Sequence, residues 1–391
     1  MVSVETKTAV VLGGSGIFGS RVARALAATP GIAVRIAARN VRRGTDLAEQ
    51  IGASFMPCSV DEPRSLDACL ADTHLLIDAA GRFQDRDYAV AERCIARGVH
   101  YLDLADGREF VCGIGQLDVA ARAAGVFVGS GASSAPTNTW AMIAALAPEF
   151  SSIDAIHLAL SPGNQNPRGA ALIATILTYL GQPIRVWEGG AWRRHYGWGN
   201  RTRRAFPPKV GLREVFDCEL PELELFPQAW GARTVTFQAG LEFTPFHWVL
   251  TVLAGLRRLH ALPSLRRLAP IGLHVSLWFF DRGSKNGSIA AWVTGRDRNG
   301  AVIERRIALV TDDDGTAAPS APAILLGRKL LLGPVPDPGA RPCMGLLELD
   351  EIRAHLEPLG IWCARSDSDG VWRRLPPVGA ESPPGGPRLG T

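Results

Sequence analysis

Seven residues, GGSGIFG at positions 13–19, constrain this chain more than any other part of it. They follow the apolar run TAVVL at 8–12 and precede a segment, 17–28, whose pattern predicts a helix. Gly14, Gly16 and Gly19 carry the spacing G-x-G-x-x-G between a strand and a helix, the context that separates a dinucleotide turn from an unliganded glycine turn. In such a turn Gly14 takes the tight bend, Gly16 lets the backbone approach a pyrophosphate, and Gly19 lets the helix close on the strand. The pyrophosphate sits on the N–H groups and positive dipole end of the helix. Gly13, Gly14, Ser15, Gly16, Ile17, Phe18 and Gly19 are therefore expected to hold a dinucleotide.

The second strand, at 32–37, speaks to which dinucleotide. NAD enzymes place an Asp or Glu near its end, where the carboxylate accepts hydrogen bonds from the ribose 2′-hydroxyl. Here the strand runs into Ala38-Arg39-Asn40, followed by Arg42 and Arg43, and residues 31–45 contain no carboxylate. A guanidinium offers a 2′-phosphate both charge and a planar donor fork. NADP is thus expected over NAD, with Arg39 as the main contact and Asn40 as a helper. The alternative has Arg39 stacked on adenine, with Arg42 and Arg43 in water.

With 391 residues, the chain is expected to form two domains. The 42 basic residues barely exceed the 38 acidic ones, a balance too mild for a nucleic-acid surface. A local cluster of Arg193, Arg194, Arg201, Arg203 and Arg204, with Trp192, Tyr196 and Trp198 between them, reads as a basic rim beside an anionic ligand rather than as a base-stacking platform. Seven scattered cysteines without a C-x-x-C, no signal peptide and no apolar run of 18 residues predict a cytoplasmic protein. The scattered histidines form no H-E-x-x-H, so no metal is expected. Residues 243–269 are apolar with four arginines. Covering the second domain's sheet is their expected job, and peripheral membrane contact is the alternative.

Strands and helices of about ten residues alternate as far as residue 128, which predicts a parallel sheet with crossover helices. A strand at 73–80 runs into Gly81-Arg82-Phe83, so Ala80, Gly81 and Arg82 are expected beside the cofactor. After Ser133 longer strand candidates follow at 153–160, 184–188, 213–218, 233–239, 274–280, 288–293 and 302–310, with few helices between them. The fold class expected is α/β: a Rossmann-type parallel-sheet cofactor domain plus an α+β second domain with a largely antiparallel sheet. Residues 1–135 would form the first domain, completed by part of 340–375 through a returning helix at 346–359. Residues 136–339 would form a domain for substrate and dimerisation, making a homodimer. A Pro/Gly-rich tail at 376–391 is expected to be poorly ordered.

The first domain resembles the saccharopine dehydrogenase/reductase-like family of NAD(P) enzymes. The resemblance rests on VVLGGSGIFG at 10–19, AARN at 37–40, LIDAAGRF at 76–83, AERCIARGVHYLDL at 91–104 and AGVFVGSG at 124–131. It departs from the family at residues 81–83, which lack the usual proline, and at 131–136. The resemblance covers residues 7–145 well and the rest in outline. It implies a fold and a cofactor, and hydride transfer to or from a C=N bond of an amino-acid-like or polyamine-like small-molecule substrate. Reduction of C=O or C=C, or a non-enzymatic dinucleotide-binding regulator, are its rivals.

Imine reduction gains from a proton donor near nitrogen. Strand alternation puts Tyr101 and Asp103 on one face at a C-terminal strand end, where ligands bind. His195, in an aromatic polar stretch expected to be a loop, is the third candidate. Asn164, Asn166, Arg168 and Arg193 are expected to touch the substrate, with Arg82 and Arg194 as further clamps for a carboxylate. No tyrosine has a lysine four residues later, which disfavours short-chain dehydrogenase chemistry.

Overall fold

The structure is a computed structural model that describes residues 6–379. Its first run alternates β1 (Lys7–Leu12), α1 (Ile17–Ala27), β2 (Ile32–Ala38), α2 (Val41–Ile51), β3 (Ser54–Pro57), α3 (Pro63–Cys69), β4 (Leu75–Asp78), α4 (Ala89–Ala96), β5 (His100–Asp103), α5 (Arg108–Gly113), α6 (Asp118–Ala123) and β6 (Phe127–Ser130). The middle run holds α7 (Thr139–Leu146), β7 (Ser152–Ser161), α8 (Ala170–Tyr179), β8 (Pro183–Glu188), β9 (Ala191–Tyr196), β10 (Thr202–Ala205) and β11 (Leu212–Asp217). It continues with α9 (Glu222–Trp230), β12 (Thr234–Ala239), α10 (Pro245–Arg258), α11 (Ala269–Trp278), β13 (Gly287–Arg296) and β14 (Val302–Thr311). Last come α12 (Ala317–Leu332), β15 (Gly339–Pro342), α13 (Leu349–Leu356), β16 (Ile361–Ser366) and β17 (Arg373–Arg374).

These elements form two compact units. The first comprises residues 6–138 and 316–347, the second 139–315 and 348–379. In the first, seven parallel strands lie in the order β15-β6-β5-β4-β1-β2-β3. β1 and β4 are neighbours although the chain leaves β1 toward β2. That reversal opens a crevice beyond the carboxyl ends of the strands, where ligands bind in such sheets. The sheet forms because β1 and β4 are almost wholly apolar and buried on both faces, as a parallel sheet covered by helices requires. α1 covers it through Gly19, Val22, Ala23 and Leu26, one stripe at helical spacing. Fully burying Val22 and Leu26 stabilises this packing by about 1.5–3 kcal/mol each.

The second unit is built on ten strands, mostly antiparallel, with β12 and β7 the parallel neighbours. Both sheet types match the expected fold class. Several local expectations do not hold. Residues 274–280 are not a strand. Residues 274–278 end α11, which has Pro270 in its first turn and packs against α8, where Gly272 faces Ile173, and 279–280 form the turn after it. A short run rich in β-branched and aromatic residues fits either period, and the helix that precedes it decides. Residues 191–196 are β9, paired with β8, rather than a loop.

The part of the chain that rejoins the first unit overlaps the expected part of 340–375 only at 340–347 and begins earlier. It is 316–347, whose α12 packs on α1, while the helix expected at 346–359 is α13 of the second unit. Hydrophobic periodicity shows that a helix buries one face but not which neighbour receives it. Residues 243–269 fold as α10 and a following turn. Their inner side packs with α8 around Ala174, Leu177, Ala254 and Leu265, while much of their outer side stays open. Of the tail expected at 376–391, residues 380–391 lie outside the described residues.

Candidate functional site

The crevice of the first unit is framed by the turn after β1. Gly13 has φ +75°, and a Cβ there would stand 2.6 Å from the Cα of Ala80. Gly13, rather than Gly14, therefore takes the left-handed bend, and the turn after β1 lies directly on the turn after β4. Gly14 is also crowded, since a Cβ there would stand 2.8 Å from the Val11 carbonyl oxygen. At Gly19 a Cβ would meet the Gly13 carbonyl oxygen at 2.4 Å, so the helix closes on the turn itself.

Gly16 is different. It is exposed, its φ of −80° suits any residue, and within 4 Å an added Cβ would meet only the Gly13 oxygen, at 3.1 Å. Gly16 begins α1 with no side-chain cap, so the first N–H groups of the helix are not closed off by a capping oxygen. Open space over an uncapped helix start fits a pyrophosphate. Ser15 and Phe18 are partly exposed and Ile17 exposed beside it.

At the end of β2, Arg39 is exposed and has no partner among the described residues. Asn40 caps α2: its Oδ1 accepts from the Arg43 N–H at 3.0 Å. Asn40→Ala should lower the stability of the first unit by about 1 kcal/mol, as loss of a helix cap does. The midpoint of denaturant unfolding checks this, and no change would show the cap to be dispensable. Ala80 and Gly81 follow β4, with Gly81 at φ +100°, and Arg82 is partly exposed with no partner among the described residues.

Sequence reading singled out Asp103 but missed Asp78, the second of the two carboxylates that tie the crevice turns together. Asp78 and Asp103 end adjacent strands in register, and both are fully buried. Asp78 accepts from the Ala80 N–H at 2.9 Å and pairs with Arg86 at 2.7 Å. Asp103 Oδ1 accepts from the Ala105 N–H, the Gly131 N–H and the Ser130 hydroxyl at 2.8–3.0 Å. Three crevice turns, at 79–81, 104–106 and 130–132, thus hang on two side chains. The available signal was an Asp at the carboxyl end of two neighbouring strands. Burial pushes Asp103 up to about 7, and the three hydrogen bonds, which favour its ionised form, offset only part of the rise. Its Oδ2 and the Tyr101 hydroxyl are buried without a hydrogen-bond partner. Tyr101 is fully buried and sits in the core among Leu12, Leu76 and Cys94, and burial raises its hydroxyl well above the ordinary range. Strand alternation did place Tyr101 and Asp103 on one face, but that face is closed, not open to a ligand.

In the second unit, His195 is nearly enclosed between two carboxylates. Its Nδ1 lies 2.6 Å from Asp217 and its Nε2 3.3 Å from Glu188. Asp217 is buried, which raises its carboxyl, partly offset by His195, and its other oxygen accepts from Gln238 at 3.1 Å. Asn164, Asn166 and Arg168 make hydrogen bonds that close loops, although the Arg168 Nε is buried without a partner. The Asn164 amide donates to the carbonyls of Phe279 and Arg282, Asn166 Oδ1 accepts from the Gly315 N–H, and Arg168 donates to Asn164. Arg193 is exposed on β9 and has no partner among the described residues. A cleft of about 360 Å³, which sequence reading also missed, is walled by Trp198, Phe216, His247 and Trp248, with Arg201 and Glu214. His247 Nε2 accepts from the Leu241 N–H, which puts its proton on Nδ1, toward Glu214 at 3.5 Å. No group of three metal-ligating side chains is found among the described residues.

Among curated proteins none matches the chain. Its fold is similar to saccharopine dehydrogenase (L-Glu forming) from Saccharomyces cerevisiae, with a TM-score of 0.67 at 15% identity over 92% of this chain and 99% of that one. It is also similar to homospermidine synthase from Legionella pneumophila in complex with NAD, with a TM-score of 0.57 at 14% identity over 97% and 94% of the two chains. At such identities these likenesses speak to the fold. Residues 9–131 match the family model described as the saccharopine dehydrogenase NADP binding domain, so the first unit contains an NAD(P)-binding domain of that type.

Proposed function

We propose that this protein is an NADP-dependent oxidoreductase that moves hydride to or from a C=N bond of an amino-acid-like or polyamine-like substrate. The observation that carries the cofactor choice is Arg39, exposed and unpartnered among the described residues where an NAD enzyme would set a carboxylate. The dinucleotide, when bound, would supply or accept the hydride. The backbone of residues 13–19 and the start of α1 hold the pyrophosphate, Arg39 takes the 2′-phosphate, and Ala80, Gly81 and Arg82 border the site.

Asp103 acts here as a positioning residue, since it holds the turns after β5 and β6 and its carboxyl has no exposed surface. His195, oriented by Asp217, is the proton donor in this reading, and Arg193 is a carboxylate clamp. His195→Gln should then lower turnover and alter its pH profile without changing NADP(H) affinity. A non-enzymatic dinucleotide-binding role is the second reading. It draws on the enclosure of Tyr101 and Asp103 and on the engagement of both His195 nitrogens.

Calorimetric titration tests the cofactor assignment. NADP(H) should bind at least about tenfold tighter than NAD(H), and Arg39→Ala should weaken NADP(H) by about 1.5–3 kcal/mol, the scale of hydrogen bonds to charged groups, with little effect on NAD(H). Equal affinities in the unaltered protein would overturn the assignment. Cofactor oxidation with paired keto acids and amines then separates the enzyme from the regulator.

A further inference from the structure

We infer that the second unit docks on an anionic membrane surface through the outer faces of α10 and α11. On α10 and its C-terminal cap, at about 100° per residue, Trp248, Val249, Val252, Leu256 and the capping Leu259 fall within an arc of about 100°. All are exposed, Trp248 to 64% and Leu259 to 77%. On α11, Leu268, Ile271, Val275 and Trp278 share an arc of about 80°, with Ile271 61% and Trp278 76% exposed. These helices are amphipathic in an unusual sense. Their inner faces already pack with α8 around Ala174, Leu177, Ala254 and Ala269, and their solvent faces are apolar as well. The largest apolar patch on a typical monomer covers about 300–600 Å², and a larger one marks an interaction surface.

Charge selects the occupant. Residues 243–280 contain Arg257, Arg258, Arg266 and Arg267 and not one Asp or Glu. Arg257 is held by the carbonyls of Leu177, Thr178 and Leu180, and Arg258 lies 4.0 Å over the Tyr196 ring. Arg267 is exposed without a partner among the described residues. The nearest acid in sequence before the segment, Glu242, is engaged by Arg213, Asn164 and Ser284. A two-fold contact between copies would set this basic segment, flanked by the engaged Glu242 and by Asp281, against itself, largely like charge on like. An anionic bilayer instead offers phosphate to Arg267, hydrocarbon to the aliphatic side chains and an interfacial layer to Trp248 and Trp278. At 14 and 10 residues, α10 and α11 run about 21 and 15 Å, short of the ~30 Å hydrocarbon core. They lie in the interface and do not cross it. No helix among the described residues is long and apolar enough to span a membrane.

The test uses the full chain and sedimentation with vesicles of phosphatidylcholine alone or with a third phosphatidylglycerol. Partitioning should be at least about tenfold stronger on the anionic vesicles and should weaken with salt. The triple variant Trp248→Glu, Ile271→Glu, Trp278→Glu should lose it at least about tenfold. All three side chains are exposed, and an unchanged circular dichroism spectrum and NADP(H) affinity would show the fold intact. Arg267→Glu alone should weaken anionic binding severalfold. The inference is overturned if no vesicle association occurs. It is also overturned if the triple variant partitions like the unaltered chain, or if light scattering finds a dimer that the same three substitutions dissociate. The last result assigns the surface to a second copy.

Discussion

Gly16→Val is expected to weaken NADP(H) binding by at least about a hundredfold, or about 2.7 kcal/mol, while the protein unfolds at nearly the same temperature. The two outcomes separate because of local geometry. The backbone of Gly16 is extended, so valine can adopt it, and the new Cβ meets the Gly13 oxygen at 3.1 Å and nothing else within 4 Å. The remaining methyl groups then point into the space over the start of α1 that a pyrophosphate needs. Gly13→Val is the contrast. There φ is +75° and the Cβ would stand 2.6 Å from the Ala80 backbone, so the first unit itself should be destabilised. Calorimetric titration beside thermal unfolding of both variants checks the pair. Unaltered affinity in Gly16→Val would mean that the nucleotide binds elsewhere.

The second large effect concerns Asp103 and runs with pH. Its carboxyl sits near 7 in the fold and near 3.9 in the unfolded chain. Between those values the folded protein keeps a proton that the unfolded chain has lost. Raising the pH therefore favours the unfolded chain, and the loss of stability levels off above about 7. The full penalty is about 4 kcal/mol at most. Asp103→Asn keeps an oxygen for the Ala105, Ser130 and Gly131 donors but cannot ionise. It should match the unaltered protein near pH 4 and exceed it in stability at pH 8. Asp103→Ala removes the acceptor of three buried donors and should destabilise at every pH, by about 1–3 kcal/mol for each donor left unmatched. Denaturant midpoints from pH 4 to 8 read both variants. An Asp103→Asn protein less stable than the unaltered one at pH 8 would show that the ionised carboxylate holds the turns. If turnover assays show instead that Asp103→Asn abolishes hydride transfer while leaving these midpoints unchanged, Asp103 belongs to the chemistry.

The features legible in the sequence are those set by neighbours along the chain. The glycine turn, the alternation behind the parallel sheet and the lack of a carboxylate after β2 all depend on residues a few positions apart. Local steric rules and periodicity are enough to read them. Tyr101 and Asp103 show where that reading stops. Alternation places both on one strand face, but only the packed sheet decides that the face is closed and that Asp103 holds the two turns after β5 and β6. The same limit applies to residues 274–280, which fit a strand although 274–278 end α11 and 279–280 turn out of it, and to β9, whose partner is β8 rather than solvent. It applies to the segment that rejoins the first unit as well. An apolar stripe states that a face is buried, and 316–347 joins α1 while α13 joins the second unit because only the assembled core specifies which surface receives each stripe. The outer faces of α10 and α11 are the converse case. The sequence shows apolar residues on all sides, and only the tertiary structure tells which of them the core has taken and which are left for another surface, because burial is a property of the packed fold and not of the residue.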